Sequence, residues 1–199
     1  MRPRKFGDAG QAFPIYITVV GGLLFLAFAY LAVGQAAANR SGAQTAADAA
    51  ALAAAQDRRD QLADAWVQNL LDPTKWQDIF DGKAENLGLS CWRAGQLAAQ
   101  NDATVLSCTP DGMLGYTVEV VTNDPVGETI VPGTENKKSQ EAATAVIEPR
   151  CVFDLPAPDA GDDTLPLLTC EGEEWGLDPK GPEELLPEPE DLFDVHLAD

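Results

Sequence analysis

The run Phe13 to Val33 (FPIYITVVGGLLFLAFAYLAV) constrains this chain most: it is 21 residues long and carries no charge. At about 1.5 Å per residue, a helix of this length reaches roughly 30 Å, the thickness of a bilayer's hydrocarbon layer. Arg2, Arg4 and Lys5 precede the run, and Arg40 stands on the other side. Cationic residues close to a span favour the cytoplasm, so the pattern predicts one pass with the amino terminus inside. A cleaved secretory signal is the rival reading, because Ala36-Ala37-Ala38 offers the small residues of a cleavage site. Signal cores, however, run to about 7 to 15 residues, and this one is longer. On either reading the remainder is exported.

The helical pattern does not stop at the span. Pro14 sits where a first turn tolerates proline. Gln35 to Leu71 has no proline, a single glycine at Gly42 and many alanines, and alanine is the strongest helix former. The expectation is one long helix, with a candidate kink at Gly42, ending at Asp72-Pro73, because proline disfavours helical geometry in the residue before it. Its exported part carries an apolar stripe through Leu52, Ala55, Leu62, Trp66 and Leu70, with Arg59 in register. In QTAADAAALAAA (Gln44 to Ala55) small side chains would let another helix approach closely, which makes Ala43, Ala47, Ala50, Ala51, Leu52 and Ala54 candidates for helix packing. Plain helix propensity with solvent on most faces is the other account of the same alanines.

Beyond Pro73 the pattern becomes mixed. Trp76, Ile79 and Phe80 predict a short helical piece, and Ser90 to Gln100 a further helix with Ser90 as its cap. Thr104 to Cys108 and Tyr116 to Thr122 flank Thr109-Pro110-Asp111-Gly112 and read as a hairpin. Ala142 to Ile147 reads as a third strand. The predicted fold class is α+β, a long transmembrane helix extending outside the membrane and packed on a small antiparallel sheet. Its segments are a basic lead (1–12), the span (13–33), the helix continuation (34–72), a small α+β domain (73–153) and an acidic tail (154–199). From Asp154 to Asp199 there are 8 Asp, 7 Glu and 7 of the 14 prolines, against Lys180 alone. Such composition predicts a loose or extended stretch, although Leu165, Leu167, Leu168 and Trp175 could dock on the core.

Function classes narrow accordingly. A net charge of -19 excludes nucleic acid as a partner, since phosphate binding needs clustered Lys and Arg. Cys91, Cys108, Cys151 and Cys170 all follow the span, and an even count in an exported segment predicts two disulfides. Of the three connectivities, sequential pairing is favoured; zinc would call for close ligand pairs, which these spacings lack. His196 is the only histidine and is expected to be solvated in a flexible tail, where it could not serve as a held general base. Asp159, Asp162 and Asp163 lack the ordered spacing of a calcium loop. Asn39-Arg40-Ser41 matches a glycosylation sequon but lies too close to the membrane to be weighed. No cofactor, small-molecule substrate or enzyme activity is expected.

Gly7-Asp8-Ala9-Gly10-Gln11-Ala12, the span, and then Ala43-Gln44-Thr45-Ala46-Ala47-Asp48-Ala49-Ala50-Ala51-Leu52-Ala53-Ala54-Ala55 together resemble the TadE/TadG-like proteins of Flp (Tad) pilus assembly, in particular the actinobacterial members. The resemblance covers about the first 60 residues. It implies a pilin-like architecture and a structural role as a minor pilin or assembly factor in a bacterial cell membrane, beside other pilus-type or secretion membrane proteins. It also implies processing after a glycine, for which Gly7 and Gly10 are the candidates. The acidic residue that pilins carry five positions after the cut is absent here: Ala12 and Ile15 stand at those places. A membrane-anchored adaptor, binding a protein or the cell wall through its acidic tail or small domain, is the second expectation.

Overall fold

The computed structural model describes residues 12–125, 127, 136–156, 165–178 and 185–198. Helix α1 runs from Ala12 to Gln68, 57 residues, and its helical hydrogen bonding passes Gly42 without a break. That length amounts to about 85 Å. A 3-10 turn (Pro73–Lys75), α2 (Trp76–Phe80) and α3 (Cys91–Gln100) follow. Strands β1 (Ala103–Pro110), β2 (Gly115–Thr122), β3 (Gln140–Pro149) and β7 (Phe193–Leu197) form an antiparallel sheet in the order β1-β2-β3-β7. Strands β4 (Cys151–Phe153), β5 (Leu168–Cys170) and β6 (Glu173–Trp175) form a second, smaller sheet, and α4 (Pro189–Leu192) leads into β7. The molecule is therefore α+β, with a long apolar helix packed on antiparallel sheet.

Small side chains are what bring these elements together. Ala46, Ala47, Ala50, Ala51, Ala54 and Ala55 of α1 are fully buried, as are Ala94 and Ala98 of α3. A methyl group keeps little distance between backbones, so the sheet and α3 can both lie close against α1. The sheet contributes alternate residues to this core, Tyr116, Val118 and Val120 from β2 and Ala145 and Ile147 from β3, as the two-residue period of a strand requires.

Farther along α1 the core becomes aromatic. Trp66 meets Trp76 at 5.3 Å between ring centroids, Trp76 meets Phe153 at 5.2 Å, and Phe80 meets Phe193 at 5.4 Å. These contacts join α1, α2, β4 and β7. The Trp76 indole N–H donates to the carbonyl of Asn69 at 3.0 Å, just past the end of α1, where that carbonyl also accepts from the Asp72 N–H. Gly82 takes a positive φ of 78° where it passes the β1–β2 turn, and a Cβ there would lie 2.8 Å from the Met113 carbonyl.

Three sequence expectations are corrected. Helix α1 ends at Gln68 rather than at Asp72: the Asn69 N–H is shared between the carbonyls of Ala65 and Trp66, and the chain tightens through 70–72 before Pro73. Ser90 occupies the cap position of α3 without capping it. Its hydroxyl instead accepts from the Gln61 amide at 3.2 Å, and its N–H donates to the Tyr116 hydroxyl at 3.3 Å. The acidic stretch is not loose throughout: β7 is a strand of the main sheet, and Leu192 and Phe193 are fully buried. Composition averaged over the tail hides these few apolar residues.

Two stability predictions follow from the packing. Ala51→Leu should overpack the interface between α1 and its neighbours and destabilise the domain by about 1–3 kcal/mol. Phe193→Ala should cost about 3–5 kcal/mol by opening a cavity beside Phe80. Denaturant unfolding of the purified full chain measures both, and wild-type midpoints for either variant would contradict the packing described.

Candidate functional site

No enclosed catalytic arrangement emerges among the described residues, and no group of three His, Cys, Asp or Glu there could hold a metal ion. The site of interest is α1 itself, which changes character along its length. The segment from Phe13 to Ala38 is largely exposed; Phe13 and Tyr30 are 73% and 83% accessible, and the most apolar window has a mean hydropathy of 2.2 with none of its residues buried. Each large apolar side chain left in water forgoes about 1.5–3 kcal/mol, so across this stretch the loss is on the order of tens of kcal/mol. A bilayer removes it. The helix is long and apolar enough to cross one.

Where α1 leaves this exposed state, a polar clasp holds it to the sheet. The Asn39 amide N–H donates to the Asp124 carbonyl at 3.2 Å, while its oxygen accepts from the Ser139 hydroxyl at 2.6 Å and the Thr122 hydroxyl at 3.4 Å. At the next residue, Arg40 pairs with Glu141 at 2.7 Å. The ends of β2 and β3 are thereby fixed to one place on the helix. Sequence reasoning missed this clasp: Asn39 stood out only as part of a sequon, and nothing local ties it to residues 85 and 100 positions away.

The candidate packing residues fall on the covered side of that boundary. Ala43, Ala47, Ala50, Ala51 and Ala54 have no exposed surface, and Leu52 is half-buried. Helix α1 packs there on β2, β3 and α3 of its own chain, so a second helix cannot reach these alanines while the domain is folded. The cysteines pair as Cys91–Cys108, tying α3 to β1, and Cys151–Cys170, tying β4 to β5. Gly7, Gly10, Asp159, Asp162 and Asp163 lie outside the described residues. His196 is not in a flexible tail: it sits on β7 opposite Val146, with Nδ1 at 2.9 Å from Asp194 and Nε2 at 4.0 Å from Glu148.

Electrostatics elsewhere are those of exposed pairs. At the membrane-distal end of α1, a pocket of about 330 Å³ is lined in part by Asn69, Lys75, Asp78 and Lys83. Nearby, the Thr74 hydroxyl holds the Asp72 carboxyl below its usual range, and a hydrogen bond from Lys83 does the same for Asp81. Arg150 is shifted upward by its bond to Glu171 and also donates to the Glu190 carbonyl at 3.0 Å, linking β4 to the segment before β7. None of these groups is buried, so solvent screens them and they mark no reactive centre.

Asn39→Ala should remove the clasp, destabilise the domain by about 1–2 kcal/mol, and speed amide exchange at Ser139, whose N–H bonds to Thr122. Unchanged exchange at Ser139 would mean that the clasp does not hold the sheet.

No curated protein and no solved structure matches the chain. One family model does over part of its length, from Gly10 to Asp57 within α1, and it bears out the resemblance read from the sequence over that segment. Residues 10–57, the piece of the chain that carries the exposed span and the alanine face, match the family model described as putative Flp pilus-assembly TadE/G-like.

Proposed function

We propose that the chain is a TadG-like minor pilin or assembly factor of a Tad/Flp pilus or a related secretion apparatus, with its amino terminus in the cytoplasm and residues 34–199 outside. The match to a pilus-assembly family supports a pilus-related role. The observation that carries the finer reading is the division of α1, in which an exposed apolar half continues without a break into a half buried by its own domain. Ala36-Ala37-Ala38 lies within this continuous helix. A peptidase needs its substrate extended, and that favours a retained anchor over a cleaved signal.

Because the alanines from Ala43 onward are covered from within, contacts with other pilus-type membrane proteins through helix packing fall to the span. Among the described residues, Gly21, Gly22 and Gly34 have nothing beyond their own helical turn within 4 Å of where a Cβ would stand, and small residues there let a neighbouring helix come close. The role is structural: the span positions a small domain at the outer membrane surface among its partners. The adaptor reading draws no support from the tail as a separate arm, since residues 185–198 include buried parts of the domain core.

Two measurements test the proposal. An impermeant amine-reactive reagent applied to intact cells should label Lys75 and Lys83, whose side chains are exposed, and spare Lys5; labelling of Lys5 would overturn the orientation. Replacing residues 13–33 with a Leu-Ala span of equal length should leave the protein in the membrane with both disulfides formed. Co-purification with pilus-type membrane components should then be lost. Retained partners would show that the span does not carry assembly.

A further inference from the structure

Among the described residues, β7 covers only half of β3. The two strands pair from Pro149 with Phe193 to Ala145 with Leu197, and the Ala198 N–H then donates to the Thr144 carbonyl at 2.9 Å. Strand β3 begins earlier, at Gln140. The ladder shows which way its remaining groups point. The Ser139 carbonyl accepts from Thr122 and the Ile147 N–H donates to the Leu114 carbonyl, both on the β2 side. Backbone direction alternates along a strand, so odd-numbered residues of β3 bond towards β2 and even-numbered ones towards the lane of β7. Gln140 and Ala142 therefore direct N–H and C=O into that lane, where no described backbone group pairs with them.

This open edge forms one side of a groove of about 400 Å³. The groove is lined by Gln44 and Asp48 of α1, Ala142, Ala143 and Thr144 of β3, and Leu197 and Ala198. The chemistry of the edge selects its occupant. Donors and acceptors on alternate residues repeat at nearly 7 Å, a spacing that only an extended backbone matches. Charge selects further. Glu141 is engaged by Arg40, whereas Asp48 has, among the described residues, only the Gln44 amide, at 2.7 Å. A second copy of a chain with net charge -19 brings like charge to this groove, so a cationic segment suits it better. Gln44 lies 11 residues beyond Val33, about 16 Å along the helix, so the occupant runs near the membrane surface.

We infer that this groove takes an extended Lys- or Arg-bearing peptide segment of a neighbouring membrane protein, which adds as a strand in the lane of β7 with a basic side chain towards Asp48. That the neighbour is a pilus component rests on the function proposed above; the strand addition itself does not.

The test uses the full chain in nanodiscs, with a short peptide of alternating Lys and Val as the probe and its Glu-Val counterpart as the control. The amides of Gln140 and Ala142 should exchange quickly in the free protein, and the Lys-Val peptide should slow them about tenfold or more while the Glu-Val peptide does not. Asp48→Lys should weaken the Lys-Val peptide about tenfold. Ala142→Pro removes the outward N–H without touching the bonds to β2; it should abolish binding while leaving both disulfides and the unfolding midpoint near wild type. Slow exchange at Gln140 and Ala142 in the free monomer, equal protection by both peptides, or protection that appears only on dimerisation would each overturn the inference. A failure of pilus components to co-purify would not alter these peptide results, so the two readings fail separately.

Discussion

A helix whose side chains on one face are methyl groups lets a sheet and a second helix approach its backbone, and the rest of this structure depends on that contact. Ala46, Ala47, Ala50, Ala51, Ala54 and Ala55 leave no gap that bulky residues would otherwise fill. Tyr116, Val118 and Val120 of β2 reach inward because α1 offers them a flat surface. The aromatic contacts around Trp66 and Trp76 then close the far end, and the Asn39 clasp closes the near end. Between these two ends the helix belongs to the domain. Before Asn39 it is apolar and exposed.

That division explains why one unbroken helix serves two solvents. The free energy that drives Phe13 to Val33 into lipid and the free energy that packs Ala43 to Trp66 against the sheet have the same hydrophobic origin. They differ in what covers the surface. Because the helix is continuous and clasped at Asn39 and Arg40, the domain is held at one place along α1. A subunit held in this way suits a structural role in an assembly, where position matters more than chemistry.

The sequence disclosed what local pattern can encode. The span, the length of α1, the short helix at Trp76, the hairpin and the third strand each rest on periodicity, proline or turn residues close together in the chain. It did not disclose what covers the alanines. Small residues look alike whether a partner helix or the chain's own sheet lies against them, and the sheet begins only at Ala103, 48 positions beyond Ala55. Strand β7 was hidden for a related reason. Phe193, Val195 and Leu197 are few among acids and prolines, and they are covered because β7 pairs with β3 and packs on α1, not by their neighbours in sequence. Ser90 shows the same limit at a single residue: its cap position was legible, but its partner Gln61 on α1 was not.

The central claim is that α1 passes from lipid to protein at Asn39 as one continuous helix, and spin-label accessibility along it in nanodiscs tests this most directly. Labels placed singly from residue 15 to residue 60 should show oxygen contact on all sides through Val33. They should then show brief exposure to an aqueous relaxant, and from Ala43 onward a helical period with one face shielded from both reagents. A shielded face within the span, or uniform aqueous exposure beyond Ala43, would contradict the account.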